Sequence, residues 1–199
     1  MTDTVFFGSE AKEIRDENNK PTYDLADIEK AVAKFKEEQI IPLPDLVLAL
    51  FYAHEDQPIR GMILLMKEIF LMQMEFVKEE NIKLQNAEFI PYKYGPYSID
   101  IDKIIDAMED YGLLISRGRK STNKEIFYLT RTGKERAKEA FDKLNEHQQK
   151  RLKDLRKGWD QLGVNGILKL VYSKYPDYTK ESEIIKRVLR DERVSRIRG

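Results

Sequence analysis

The chain has 199 residues, in which 35 Lys and Arg are balanced by 35 Asp and Glu, and it contains no cysteine. That length supports one sizeable domain or two small ones with a real apolar core. The missing cysteines exclude disulfides and thiolate-bound zinc, and the balanced charge excludes a global polycation, so a nucleic-acid surface has to arise from local asymmetry.

Residues 1–40 read as an acidic appendage with ten Asp and Glu against six Lys and Arg. Val5, Phe6 and Phe7 suit a short edge strand, Asn18-Asn19-Lys20-Pro21 is a turn signal, and Leu25, Ile28, Val32 and Phe35 mark a helix over residues 24–38 that packs on the core. Pro42 and Pro44 stiffen the next break, and Pro44 suits the first turn of a strongly apolar helix over residues 45–54. Asp56-Gln57-Pro58 opens a long helix over residues 59–78. Its Ile63, Met66, Ile69, Phe70, Gln73 and Val77 trace one face, and Leu64, Leu65, Leu71, Met72 and Met74 widen it towards contact on two sides. Its apolar stretch, Met62 to Met74, is interrupted by Lys67, Glu68 and Gln73 and is too short to cross a bilayer. With no secretory signature near Met1 either, the chain is expected in the cytoplasm and away from membranes.

Residues 88–93 read as extended, and Tyr94-Gly95-Pro96 as a sharp corner. Ser98 is placed to cap a helix over residues 99–111 that buries Ile101, Ile104, Ile105 and Met108 and ends at Gly112. Residues 113–117 and 125–130 alternate as strands around a polar loop, 118–124. Thr132 and Glu135 have capping-box spacing, opening a helix that the pattern carries to about Lys157, with a break at Gly158–Gly163, a short helix over 164–175 and a last basic helix from Thr179 or Ser182. The expected fold is mainly α with a small β-hairpin: a winged helix-turn-helix domain over residues 41–132, the N-terminal appendage, and a helical C-terminal extension over residues 133–199.

Phe89-Ile90-Pro91-Tyr92-Lys93-Tyr94-Gly95-Pro96-Tyr97-Ser98, then Glu109-Asp110-Tyr111-Gly112-Leu113-Leu114, then Tyr128-Leu129-Thr130-Arg131-Thr132-Gly133-Lys134, resembles a group of uncharacterised prokaryotic winged-helix proteins and, more distantly, Panacea-type antitoxin domains. Val171 to Thr179 is similar to a tail of the same group. The resemblance implies DNA binding, or the neutralising of a partner protein, in preference to catalysis.

The residues themselves point the same way. His54 and His147 are isolated, without metal-ligand spacing, and no phosphate-loop or dinucleotide fingerprint is present. Asp100, Asp102, Asp106, Glu109 and Asp110 read as a solvated helix face. No catalytic, cofactor or metal site is expected. From Leu113 to Lys138 there are eight basic residues against Glu125 and Glu135. Arg117, Arg119, Lys120 and Lys124 on the loop, with Arg131 and Lys134 on the following helix, are the candidate contacts to duplex DNA. The acidic helix before them argues against base readout, so the wing is expected to carry the contact in a non-enzymatic regulator. The alternative is a protein-binding module of antitoxin or adaptor type using Tyr92, Tyr94 and Tyr97. A homodimer is expected through the long C-terminal helix and the tyrosines at 172, 175 and 178.

Overall fold

The computed structural model describes residues 14–15, 21–22, 40–54, 57–120, 122 and 124–190. The chain divides into two compact units, 1–40 and 41–199. In the first, β1 (Ile14–Arg15) pairs antiparallel with β2 (Pro21–Thr22), Ile14 opposite Thr22. The strand expected at residues 5–7, the helix expected at 24–38 and the part of the last basic helix beyond residue 190 lie outside the described residues.

The second unit begins with α1 (Leu43–Ala53), which has Pro44 in its first turn. Leu43, Leu46, Val47, Leu48, Ala49, Leu50, Phe51 and Ala53 are all buried. A helix apolar on nearly every side belongs in the centre of a domain, and each such large side chain stabilises it by about 1.5–3 kcal/mol when fully buried. There follow β3 (Ile59–Arg60) and α2 (Met62–Leu71), which runs into a π-helical segment, Met72–Val77. The amide of Gln73 grips Ala87 from that segment, donating to its carbonyl at 3.1 Å and accepting from its N–H at 3.0 Å. Next come a hairpin, β4 (Ile90–Tyr92) and β5 (Gly95–Tyr97), α3 (Ile99–Asp110), and a second hairpin, β6 (Leu114–Arg117) and β7 (Ile126–Leu129). The unit ends with α4 (Arg131–Phe141), α5 (Glu146–Lys174), a 3-10 turn at Pro176–Tyr178 and α6 (Ile185–Arg190).

The unit is thus mainly helical with a small antiparallel sheet in the order β3-β7-β6. Ile59 faces Phe127 across the β3–β7 pair, and Leu114 faces Leu129 across β6–β7. α1 packs on α4 and α5, and α2 lies along α5.

Three sequence expectations are corrected. Ile59 opens a strand instead of a helix: it pairs with Phe127 in the sheet, and Gly61, at φ 85°, turns the chain so that α2 starts at Met62. The helix expected from Thr132 to Lys157 is two helices. Thr130 caps the first, accepting from the Gly133 N–H at 2.9 Å, because Gly133 lies so close to the Leu113 carbonyl that an added Cβ would sit 1.9 Å from its oxygen. The capping box belongs to the second, where the Asn145 side chain accepts from the Gln148 N–H and the Gln148 side chain returns the bond. Finally, α5 passes through Gly158 and the buried Trp159 without a break, leaving helical geometry at Gly163 alone.

Candidate nucleic-acid interface

α3 connects the two hairpins. The Ser98 hydroxyl accepts from the Ile101 N–H and caps its start. At its end Gly112 adopts φ 65°, and the N–H groups of Leu113 and Gly112 return to the carbonyls of Met108 and Glu109 at 2.8 and 3.0 Å, a Schellman closure. Ile101, Ile105 and Met108 are buried, which leaves Asp100, Lys103, Asp106 and Asp110 on the solvent side. Of the acidic face read from the sequence, Asp100, Asp106 and Asp110 are exposed beside Lys103, whereas Asp102 and Glu109 are half-buried.

The 118–124 loop depends on Gly118, at φ 98°: a Cβ there would lie 2.1 Å from the Lys124 carbonyl oxygen. Within the loop the Thr122 hydroxyl donates to the Arg119 carbonyl at 2.7 Å and accepts from the Lys124 N–H at 3.2 Å. The six candidate cations separate into two groups. Lys120 is drawn back to α3, its ammonium donating to Glu109 at 3.0 Å, while the other Glu109 oxygen accepts from the Ser116 N–H at 3.0 Å. Burial pushes the Glu109 carboxyl up, but the Ser116 and Lys120 donors outweigh it and hold that carboxyl below its usual range; the same contact raises Lys120. Arg131 pairs with Glu135 at 3.6 Å, and Arg117 lies over the Tyr128 ring, 5.6 Å from its centre. Arg119, Lys124 and Lys134 are exposed and form no ion pair among the described residues. Further along α4, Arg136 and Lys138 pair with Glu139 and Asp142. Lys134 also edges a cleft of about 300 Å3 lined by Phe51, Pro58, Phe127, Tyr128 and Leu129.

At the other end of α3 the β4–β5 hairpin is tied into the body through its backbone. The buried Lys67 ammonium donates to the Pro96 carbonyl at 2.7 Å, and the Ser182 hydroxyl and Glu183 N–H both donate to the Lys93 carbonyl, at 3.2 and 3.0 Å. Gly95 lies on the Tyr172 ring: a Cβ there would come within 2.9 Å of it. The aromatic residues read together from the sequence thus divide. Phe89 turns inward onto Phe70, with ring centres 5.1 Å apart, whereas Tyr92 and Tyr97 stack outward at 5.2 Å and Tyr94 sits exposed at the turn. The Tyr97 hydroxyl donates to Asp102 at 2.8 Å, and burial, Asp102 and the charges of Tyr92 and Asp106 push that phenol up to about 12. The tyrosines expected at a dimer interface pack within the chain: Tyr175 and Tyr178 meet Phe70 at 5.0 and 4.9 Å, and the Tyr172 hydroxyl bonds Ser182 at 2.7 Å.

His54 contacts Asp160 at 2.7 Å and His147 contacts Glu80 at 3.1 Å. Among the described residues no three His, Cys, Asp or Glu side chains gather as metal ligands. A charged cluster in the core escaped the sequence reading. Arg156 and Glu68 are both fully buried, 3.3 Å apart, and Arg156 also pairs with Asp160. Neither the guanidinium nitrogens nor the Glu68 oxygens make a well-formed hydrogen bond. The available signal was Lys67-Glu68 inside an otherwise apolar helix, opposite an arginine set among Leu152, Leu155 and Trp159.

No protein-family model matches the chain, and no curated protein matches it.

Proposed function

We propose that the chain is a winged-helix, non-enzymatic DNA-binding regulator that touches duplex DNA through the phosphate backbone with the tip of the β6–β7 wing. The fold reading is supported by the order of elements from α1 to β7, helix, strand, helix, an inserted β4–β5 hairpin, helix, strand, strand, with the short β3 paired to β7. The observation that carries the functional reading is that Arg119 and Lys124 stand exposed on the loop between β6 and β7 and form no ion pair among the described residues. Lys134, at the start of α4, is a third cation without an ion pair among the described residues, and Lys120 joins the set only by leaving Glu109.

Phosphate contacts of this kind bind without selecting sequence. The exposed carboxylates of α3 are repelled by phosphate and make few base contacts, so the reading assigns no base readout to that helix. The test is a titration of a labelled mixed-sequence duplex at about 50 and about 200 mM salt, where each lost phosphate contact reduces the log–log salt slope by about 0.9. The double variant Arg119→Ala, Lys124→Ala is expected to weaken binding and flatten the slope by about two contacts. A variant with the parent's affinity and slope would remove the wing from the interface.

A further inference from the structure

The outer face of the β4–β5 hairpin is a second surface, independent of the wing. Side chains alternate along a strand, so Ile90 and Tyr92 share one side of β4, and Tyr97, directly opposite Ile90, joins them from β5. Pro91 and Pro96 take the other side, with Pro96 buried. Ile90 is 47% exposed and Tyr92 46%, and Ile99, the first residue of α3, is 53% exposed. Ile90 beside the Tyr92–Tyr97 pair makes one exposed patch on the hairpin, with Ile99 exposed two residues beyond Tyr97, where scattered single exposures would be unremarkable.

The patch is held from behind. Lys67, Ser182, Glu183 and Tyr172 fix the backbone of Lys93, Gly95 and Pro96 from the inner side without engaging the outer one. A rigid face loses little freedom on binding, and tyrosine brings contact area with few rotatable bonds. Its surroundings are net acidic: Asp102 bonds the Tyr97 hydroxyl, and Asp100 and Asp106 stand on the exposed side of the adjoining α3 turns against Lys103.

We propose that this face docks a segment of another protein in which an arginine or lysine is flanked by apolar side chains. The apolar neighbours cover Ile90 and Ile99. The cation lies on the electron-rich faces of Tyr92 and Tyr97, with the Asp102 and Asp106 carboxylates beside it. Complementary charge selects a cationic occupant: a nucleic acid or an anionic lipid surface is repelled by the same carboxylates, the wing of a second copy, Arg117 to Lys124, offers cations with no apolar residue between them, and the mixed run Lys186-Arg187-Val188-Leu189-Arg190 of a second copy is the competitor that the sedimentation outcome below tests.

Fluorescence anisotropy on the full chain tests it with three labelled octapeptides, alternating Arg-Leu, Arg-Ser and Glu-Leu. The expected result is that Arg-Leu binds and Glu-Leu does not. Tyr92→Ser and Asp106→Asn should each weaken Arg-Leu by about tenfold, and Tyr92→Phe, which keeps the ring face, should bind as the parent does. Tyr92 is half exposed, so the thermal midpoint of these variants should stay near the parent's and exclude misfolding. Arg119→Ala, Lys124→Ala should leave peptide binding intact, which separates this surface from the wing. The proposal is overturned if Arg-Leu fails to bind, if Arg-Ser binds as tightly, if Tyr92→Ser changes nothing, or if Tyr92→Ser converts a sedimenting dimer to a monomer, which would make a second copy the occupant.

Discussion

The two hairpins at the ends of α3 are fastened in different ways. β4–β5 is fastened by its backbone: the Lys93 and Pro96 carbonyls are held by donors from α2 and from the segment before α6, and Gly95 is pressed onto Tyr172. β6–β7 is fastened at its base by the buried Leu114 and Phe127, and Lys120 ties its tip to Glu109. Backbone fastening fixes the hairpin's shape and leaves its outward side chains free to present a surface. Fastening by an ion pair occupies the cation that the proposed phosphate contact would need, so holding the loop would compete with that contact.

The contrast is broken most directly at Tyr172. This ring is buried, supports Gly95 and bonds Ser182. Tyr172→Ala is expected to cost about 3–5 kcal/mol, the usual range for deleting a buried aromatic ring, read as a lowered urea midpoint. A loss below about 0.5 kcal/mol, the range of ordinary surface substitutions, would mean that the ring does not fasten the hairpin to the core.

The next effect is on pH dependence. Burial pushes Lys67 down from 10.5 to about 7. Between those values the unfolded chain holds more protons than the folded one, so this residue makes stability rise with pH over that window. Its neighbour Glu68 behaves oppositely. Burial pushes it up from 4.5 to about 8, against the pull of Arg156 and with the push of Asp160. The folded carboxyl keeps a proton that the unfolded one has lost, so the contribution is complete below about 4.5 and drains away as pH rises towards 8. Together they place a minimum of stability between pH 7 and 8, measurable by denaturant titration across pH 5 to 10. Glu68→Gln should flatten the acid side and Lys67→Met the alkaline side. A profile unchanged by both would mean that these groups titrate in the folded chain as they do in water.

Much of this architecture was legible because it is local. Ser98 as a cap, Gly112 as a stop, and the strands on either side of residues 118–124 follow from residue type and short spacing. The errors came from contacts distant in sequence. The first strand is two residues long, and nothing in its vicinity shows that Ile59 will meet Phe127. Thr130 outcompetes Thr132 as a cap because Gly133 must sit against Leu113. For the site, the positions of the cations were legible but their partners were not. Glu109 read as one carboxylate among five on a solvated face, and only the fold shows that it reaches both the Ser116 N–H and Lys120. The buried Arg156–Glu68 contact was hidden for the same reason, since burial of a charge depends on helices that pack from opposite ends of the unit.

Glu109 gives the smallest effect and the sharpest comparison. Glu109→Gln keeps an oxygen for the Ser116 N–H and removes the charge that holds Lys120. The Lys120 end of the pair is exposed and solvent-screened, so the pair adds little to stability, and with the Ser116 bond kept the urea midpoint should stay within error of the parent. Duplex affinity at low salt should rise severalfold, with a salt slope steeper by about 0.9 as Lys120 becomes one more phosphate contact. Binding of the Arg-Leu peptide at the other end of the helix should not change. If affinity for DNA stays level while Lys120 is free, the ion pair is a neutral ornament of the wing; if it falls, Glu109 is orienting the loop through Ser116, and the tip is fastened by its backbone after all, like the hairpin it was contrasted with.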